Sequence, residues 1–168
     1  MPAIDPKTVS ETDTDKLLKI GMLAELCGLS ERTLRHYEDL GIIRPLRSSG
    51  GTRYYRESDV EIARTAQRLR DLDIPVEMIR VIATRRRDFD TGDQSSAAMI
   101  GIIGSLAEDL GDRATKALEL QSELIRTLRL LQECRGCKNR PDPQGCPDCP
   151  MQHDPDRPAI ARLIWQSD

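Results

Sequence analysis

A mainly α fold is predicted for this chain from three observations. Apolar residues recur at helical spacing in short runs between Ile20 and Thr84, broken by glycine turns. A three-and-four-residue apolar repeat then runs from Met99 to Leu131, and two Cys-x-x-Cys pairs follow it. The predicted order is a winged helix-turn-helix head over residues 18–87, a linker and long dimerisation coiled-coil helix over 88–133, and a short Cys-rich C-terminal loop with a final helical turn over 134–168. Residues 1–17, polar and acidic with few bases, read as a disordered arm.

Each element has a local reason. Ile20, Leu23, Ala24, Leu26 and Cys27 form the apolar stripe of a first helix, and Gly28 breaks it. Cys27 on that face reads as a small buried hydrophobe. Leu29 plugs the space before the next helix, predicted from Glu31 to Leu40, with Ser30 placed to accept an orphan backbone N–H. This is helix-turn-helix spacing, in which the second helix enters the major groove and its early outward residues reach bases or phosphates. Those residues are Arg32, Thr33 and Arg35, with Tyr37 further along, while Leu34 faces inward. A tyrosine at position 37 also suits a half-buried core site.

Gly41 ends the second helix, and Ile42, Ile43 and Pro45 form an extended exit. The stretch from Arg47 to Tyr55 is a glycine turn between two short strands, a wing in which Arg53 and the hydroxyls of Tyr54 and Tyr55 can bond phosphates. Ser58 and Glu61 have capping-box spacing and open a third helix, Asp59 to Leu72; Pro75 opens a fourth, through about Thr84. Arg85, Arg86 and Arg87 close that helix and complement its dipole.

Charge separates the halves. From Lys16 to Arg87 there are 15 Lys/Arg against 10 Asp/Glu, a balance of +5, whereas Asp88 to Asp168 has 9 against 14, a balance of −5. A basic head attracts a phosphate backbone in a salt-dependent way, and the overall charge of −3 conceals it. No stretch is apolar enough for a membrane span or a signal peptide, and the cysteine spacing suits metal rather than a disulfide framework, so a cytoplasmic location is expected. An enzyme is not expected. His36 and His153 are the only histidines, no nucleophile–His–acid set is present, and the strand–helix alternation of a thioredoxin-like fold is missing.

The long helix is predicted from about Ser95 to Glu133. Met99, Ile103, Leu106, Leu110, Ala117, Leu120, Leu124 and Leu131 follow a coiled-coil step, interrupted by Arg113 and Thr127. About 38 residues at 1.5 Å each span roughly 57 Å, more than one small head can cover. A partner helix must bury the seam, and the same helix of a second copy also gives the twofold symmetry of a palindromic DNA site.

Cys134, Cys137, Cys146 and Cys149 form two thiolate pairs separated by a loop with bends at Pro141, Pro143 and Gly145. This spacing is a strong metal signal. Four thiolates around Zn²⁺ leave a charge of about −2, which Arg135, Lys138 and Arg140 are placed in sequence to offset. Zinc is the first expectation; iron–sulfur ligation is the alternative. His153 is a further candidate ligand, and an exposed surface histidine is its ordinary reading.

Several motifs in order resemble the MerR family of bacterial transcription regulators. They are Ile20-Gly21-Met22-Leu23-Ala24, Arg32 through Glu38, Leu40-Gly41-Ile42-Ile43-Arg44-Pro45, Arg53-Tyr54-Tyr55 and Asp59-Val60. The resemblance covers roughly Leu18 to Thr84, with a long helix after it as in that family. It implies that Arg35, Tyr37 and Arg53 contact the DNA backbone, and that the two long helices of a dimer cross antiparallel. It further implies a regulator that bends and untwists an overlong promoter spacer so that RNA polymerase engages both promoter elements. His36 departs from the family's aromatic at that position, which bears on packing behind the recognition helix.

The tail is similar in part to two subfamilies. Cys134-x-Gly136-Cys137 and Cys146-Pro147 resemble the [2Fe-2S] motif of SoxR-like redox sensors, but the third cysteine lies nine residues after Cys137 rather than close by. The gap between Cys137 and Cys146 matches some heavy-metal-sensing members, many of which add a cysteine from the start of the partner's long helix; here Ser95 and Ser96 stand there. An architectural DNA-binding protein without sensing is the expectation of another class. A small-molecule sensor is disfavoured because only 35 residues follow Glu133.

Overall fold

The computed structural model describes residues 17–141 and 156–164. The chain divides into two compact units, one through Ile103 and one from Gly104 onward.

In the first unit, α1 (Ile20–Cys27) ends at Gly28, whose φ of +67° is the left-handed conformation that lets its N–H close on the Ala24 and Glu25 carbonyls. Leu23 is fully buried, but Leu26 is 43% exposed, so the stripe is narrower than the sequence predicts. Leu29 is only half-buried. Helix α2 (Glu31–Asp39) starts as expected, with the Thr33 N–H donating to Ser30 Oγ at 3.0 Å. Its inward face carries Leu34 and Tyr37.

The wing is the antiparallel pair β1 (Leu46–Arg47) and β2 (Arg53–Tyr54), with Leu46 opposite Tyr54 and Arg47 opposite Arg53. Its turn is closed by the Gly51 N–H on the Ser48 carbonyl at 2.9 Å and by Ser48 Oγ accepting from the Thr52 N–H at 3.1 Å. At the far end Leu18 and Tyr55 exchange backbone bonds of 2.8 and 2.9 Å, tying the start of the head to the end of the wing.

Helix α3 (Ser58–Asp71) corrects the capping-box expectation. Its N-cap is Glu57 with no side-chain cap bond, and it is the buried Asp59 carboxylate that accepts the Arg56 N–H at 2.8 Å. Ala63 and Ala66 are buried on this helix, and such small side chains allow close helix approach; α3 packs on α1 and α4. Asp73 takes a positive φ of 60° in the turn to α4 (Val76–Thr84), which Pro75 opens as its N-cap. The core is Leu23, Leu34, Tyr37, Ile43, Tyr55, Ala63 and Ile79 with their neighbours. Full burial of each large member contributes roughly 1.5–3 kcal/mol.

The arginine run is a short 3₁₀ turn, Arg85–Asp88, followed by α5 (Gly92–Glu133), which starts three residues before Ser95. The signal lies in Thr91, whose Oγ1 accepts the Gln94 N–H at 3.2 Å. Ser95 is buried and donates its hydroxyl to the Arg86 carbonyl at 3.3 Å, stapling the 3₁₀ turn to the first turn of α5.

The second unit begins within α5. Every residue from 111 to 120 is exposed, and Leu120 and Leu124 of the predicted seam are 50% and 45% exposed. Thr127, read from sequence as an interruption of the seam, is 3% exposed and returns its hydroxyl to the Glu123 carbonyl at 2.9 Å. A short helix α6 (Ala159–Ile164) follows, with Ala161 and Pro158 buried, and the Arg126 guanidinium donates to the Asp156 carbonyl. Leu163 and Ile164 remain exposed. Among the described residues no helix is long and apolar enough to cross a membrane.

Candidate nucleic-acid interface

Arg32 and Arg35 stand on the exposed side of α2, one turn inside the Ser30 cap. Arg35 pairs with Glu31 at 3.5 Å across a solvated i,i+4 step, an interaction that contributes little and is readily exchanged for a phosphate. Thr33 is half-buried, its hydroxyl 2.9 Å from that of Ser30, so its side chain belongs to the cap as much as to the outer face.

The wing is locked to α2 by one carboxylate. Glu38 Oε1 receives Arg53 Nε at 2.6 Å and lies 3.7 Å from the Arg47 guanidinium; Oε2 accepts the Tyr55 hydroxyl at 3.1 Å, so this fully buried tyrosine, read from sequence as a phosphate donor, turns inward instead. The Glu38 side chain is only 12% exposed, whereas Arg53 and Arg47 are 41% and 57% exposed. Burial, then the hydrogen bond to Glu38, pushes the Tyr55 hydroxyl up to about 12, with the nearby Arg53 and Arg35 charges opposing the rise. The bond to Glu38 also raises Arg53, keeping it firmly charged. Tyr54, paired with Leu46, is half-buried on β2.

Tyr37 is placed differently from the other candidates. It is 2% exposed, its hydroxyl donates to Gln67 Oε1 at 3.2 Å, and burial raises its pKa, so its side chain belongs to the core rather than the outward face. His36, which stands where the family carries an aromatic, is exposed. Sequence reasoning missed Glu38 and Arg47. The available signal was an acidic residue amid a basic segment, one helical turn beyond Leu34.

At the end of α5 the Cys137 N–H bonds the Cys134 carbonyl at 3.0 Å, and Gly136 takes a φ of +84°, so the two cysteines share one tight turn. Cys134 is half-buried, Cys137 is exposed, and neither forms a disulfide with another described residue. Cys146, Cys149 and His153 lie outside the described residues. Among the described residues no group of three or more His, Cys, Asp or Glu side chains is gathered for a metal. Cys27 is half-buried, with Sγ 3.7 Å from the Val60 carbonyl, and burial pushes its thiol up; it is a packing residue.

A capped recognition helix with exposed arginines, held to a two-stranded basic wing, defines a winged helix-turn-helix DNA-binding protein. Comparison with known proteins carries this further. Residues 18–85 match the MerR HTH family regulatory protein model. The HTH-type transcriptional regulator HmrR of Rhizobium leguminosarum bv. viciae is 37% identical over 131 residues, which is 77% of this chain and 93% of that protein. Heavy metal-dependent transcription regulator 2 of Rhizobium meliloti is 33% identical over 136 residues, 80% of this chain and 83% of that one. In fold the chain is similar to HiNmlR, a MerR family regulator lacking the sensor domain and bound to promoter DNA, with a TM-score of 0.59 and 18% identity over 71% of this chain and 89% of that chain. The chain belongs to the MerR family, and it is a DNA-binding transcription regulator rather than an enzyme.

Proposed function

We propose that the chain works as a homodimer that distorts promoter DNA for RNA polymerase, with a thiophilic metal, zinc foremost, held by Cys134, Cys137, Cys146 and Cys149. Arg32, Thr33, Arg35, Arg53 and Tyr54 are its DNA-contacting residues. The observation that carries the effector reading is the Cys134–Cys137 turn, formed directly after α5 with the Cys137 side exposed. A tight turn with two thiols fits one half of a four-thiolate site, and Arg135, Lys138 and Arg140 sit close in sequence to balance thiolate charge. When bound, a divalent metal supplies positive charge and a crosslink between the two cysteine pairs. Relatives named for heavy-metal dependence support the same reading. The unburied leucines of α5 support a second copy as its partner, since exposed apolar seams of this kind are covered in coiled-coil dimers. The head then reads the operator, and the cysteine loop shifts the relative angle of the two heads.

The experiment is elemental analysis with a visible spectrum on protein purified without oxygen, compared with a variant in which all four cysteines are serine. A colourless sample with about one zinc per chain, lost in the variant, is expected. Iron with sulfide and a brown colour would replace zinc by a [2Fe-2S] redox centre. Metal content unchanged in the variant would remove the cysteine site altogether. In transcription from a responsive promoter, Cys134→Ser is expected to alter output more than DNA affinity; equal loss of both marks unfolding.

A further inference from the structure

We infer that Glu38 is the positioning residue of the DNA interface: one carboxylate on α2 aims the wing arginines, so that helix and wing engage the duplex as a single rigid reader. The inference rests on the reading that Arg53 contacts DNA phosphate, and it assigns the reason Arg53 is placed to do so.

A carboxylate beside a polyanion is unfavourable by charge alone. Glu38 nevertheless reaches from α2 to both strands of the wing, with Oε1 on Arg53 Nε at 2.6 Å and near Arg47 at 3.7 Å, and Oε2 on the Tyr55 hydroxyl at 3.1 Å. The Glu38 side chain is largely buried while the side chains of Arg47 and Arg53 stay substantially exposed. The pair engages the Nε of Arg53 while the side chain stays 41% exposed, and a guanidinium carries further donors with which to hold a phosphate. A two-residue β-pair is marginal on its own. Wing direction then depends on what anchors its strands, and three of its residues are anchored to one side chain on α2.

Charge counting and positioning predict opposite signs. Removing a negative charge from this face tightens DNA binding if Glu38 is only a local repulsive charge. It weakens binding if Glu38 orients Arg53.

The test is a double-variant cycle of Glu38→Gln, Arg53→Ala and both together. Binding is measured by fluorescence anisotropy on a duplex that the wild-type protein selects from a random-sequence library, across a salt series, with melting curves recorded for each variant. Glu38→Gln is expected to weaken binding about tenfold and to flatten the salt dependence by about one logarithmic unit per organised phosphate contact. The double variant is expected to lose less than the two single losses added together, because much of the effect of Glu38 passes through Arg53. Wild-type or tighter binding by Glu38→Gln, or losses that simply add, would overturn the inference while leaving the interface reading intact. Wild-type binding by Arg53→Ala would sink both. If Glu38→Gln melts below the assay temperature, Glu38→Asp replaces it; this keeps the charge but falls a methylene short of Arg53, and the same weakening is expected. Undiminished binding by Glu38→Asp would also overturn the inference.

Discussion

Replacing Tyr37 with Phe separates a core role from a DNA role at one atom. The hydroxyl donates to Gln67 Oε1 at 3.2 Å from a side chain that is 2% exposed. Removing it deletes one neutral hydrogen bond, with a net contribution of about 0.5–1.5 kcal/mol. The orphaned acceptor is mild, because Gln67 is only half-buried and its Nε2 still donates to Asp71 Oδ1 at 2.7 Å, which keeps the amide oriented. The expected loss is therefore about 1 kcal/mol, seen as a fall of roughly 4–8 °C in the melting temperature of a domain of this size. Were the hydroxyl instead bonded to a phosphate, the loss would appear as about 1.5–3 kcal/mol of affinity, roughly tenfold to a hundredfold. Thermal melting by circular dichroism and anisotropy titration on a selected duplex read the two quantities on the same preparation. Unchanged melting with a tenfold loss of affinity would refute the core assignment.

Two further outcomes are expected. Ser30→Ala removes the acceptor of the Thr33 N–H at 3.0 Å and should cost about 1 kcal/mol of head stability, measured by urea denaturation; no change in midpoint would mean water replaces the cap without loss. For pH, the folded state holds the Tyr55 proton up to about 12 against an ordinary value of 10.0, so the neutral form stabilises the fold. That contribution is complete below about pH 10 and is lost as pH rises towards 12, and Tyr55→Phe should show a shallower alkaline decline in urea midpoint. Parallel declines in the two proteins would assign the effect elsewhere.

What was legible in the sequence was local chemistry. Gly28, the Ser30 cap, the Gly50–Gly51 turn and Pro75 each specify a backbone conformation from one or two residues, and α1, α2, the wing and α4 begin or end where those residues direct. The misses came from competition and distance. Ser58 and Glu61 have the right spacing, but Asp59 offers a short carboxylate that reaches the Arg56 N–H and is buried while doing so. The start of α5 was set too late because the apolar repeat drew the boundary, whereas Thr91 caps three residues ahead of Gln94. Tyr37 lies three residues after the inward Leu34, so helical periodicity already favoured the core site the sequence also allowed; the helix-turn-helix reading and the family motif outweighed that signal. Glu38 joins residues up to 17 positions away, and burial of Thr127 accompanies a return of the chain near Asp156, 30 residues from Arg126. Neither pairing has a local signature.

The paired bonds between Leu18 and Tyr55 have a practical bearing on how the head is cut and labelled. A fragment that starts at Ile20, the first residue of α1, keeps every helix but strips two hydrogen bonds from the last residue of the wing, and the loss would surface as weakened DNA binding rather than as missing helix signal. Leu18 is itself 3% exposed. A fragment that preserves the end of the wing therefore begins ahead of that leucine, and a label is better placed elsewhere than on the residue whose backbone closes the pair.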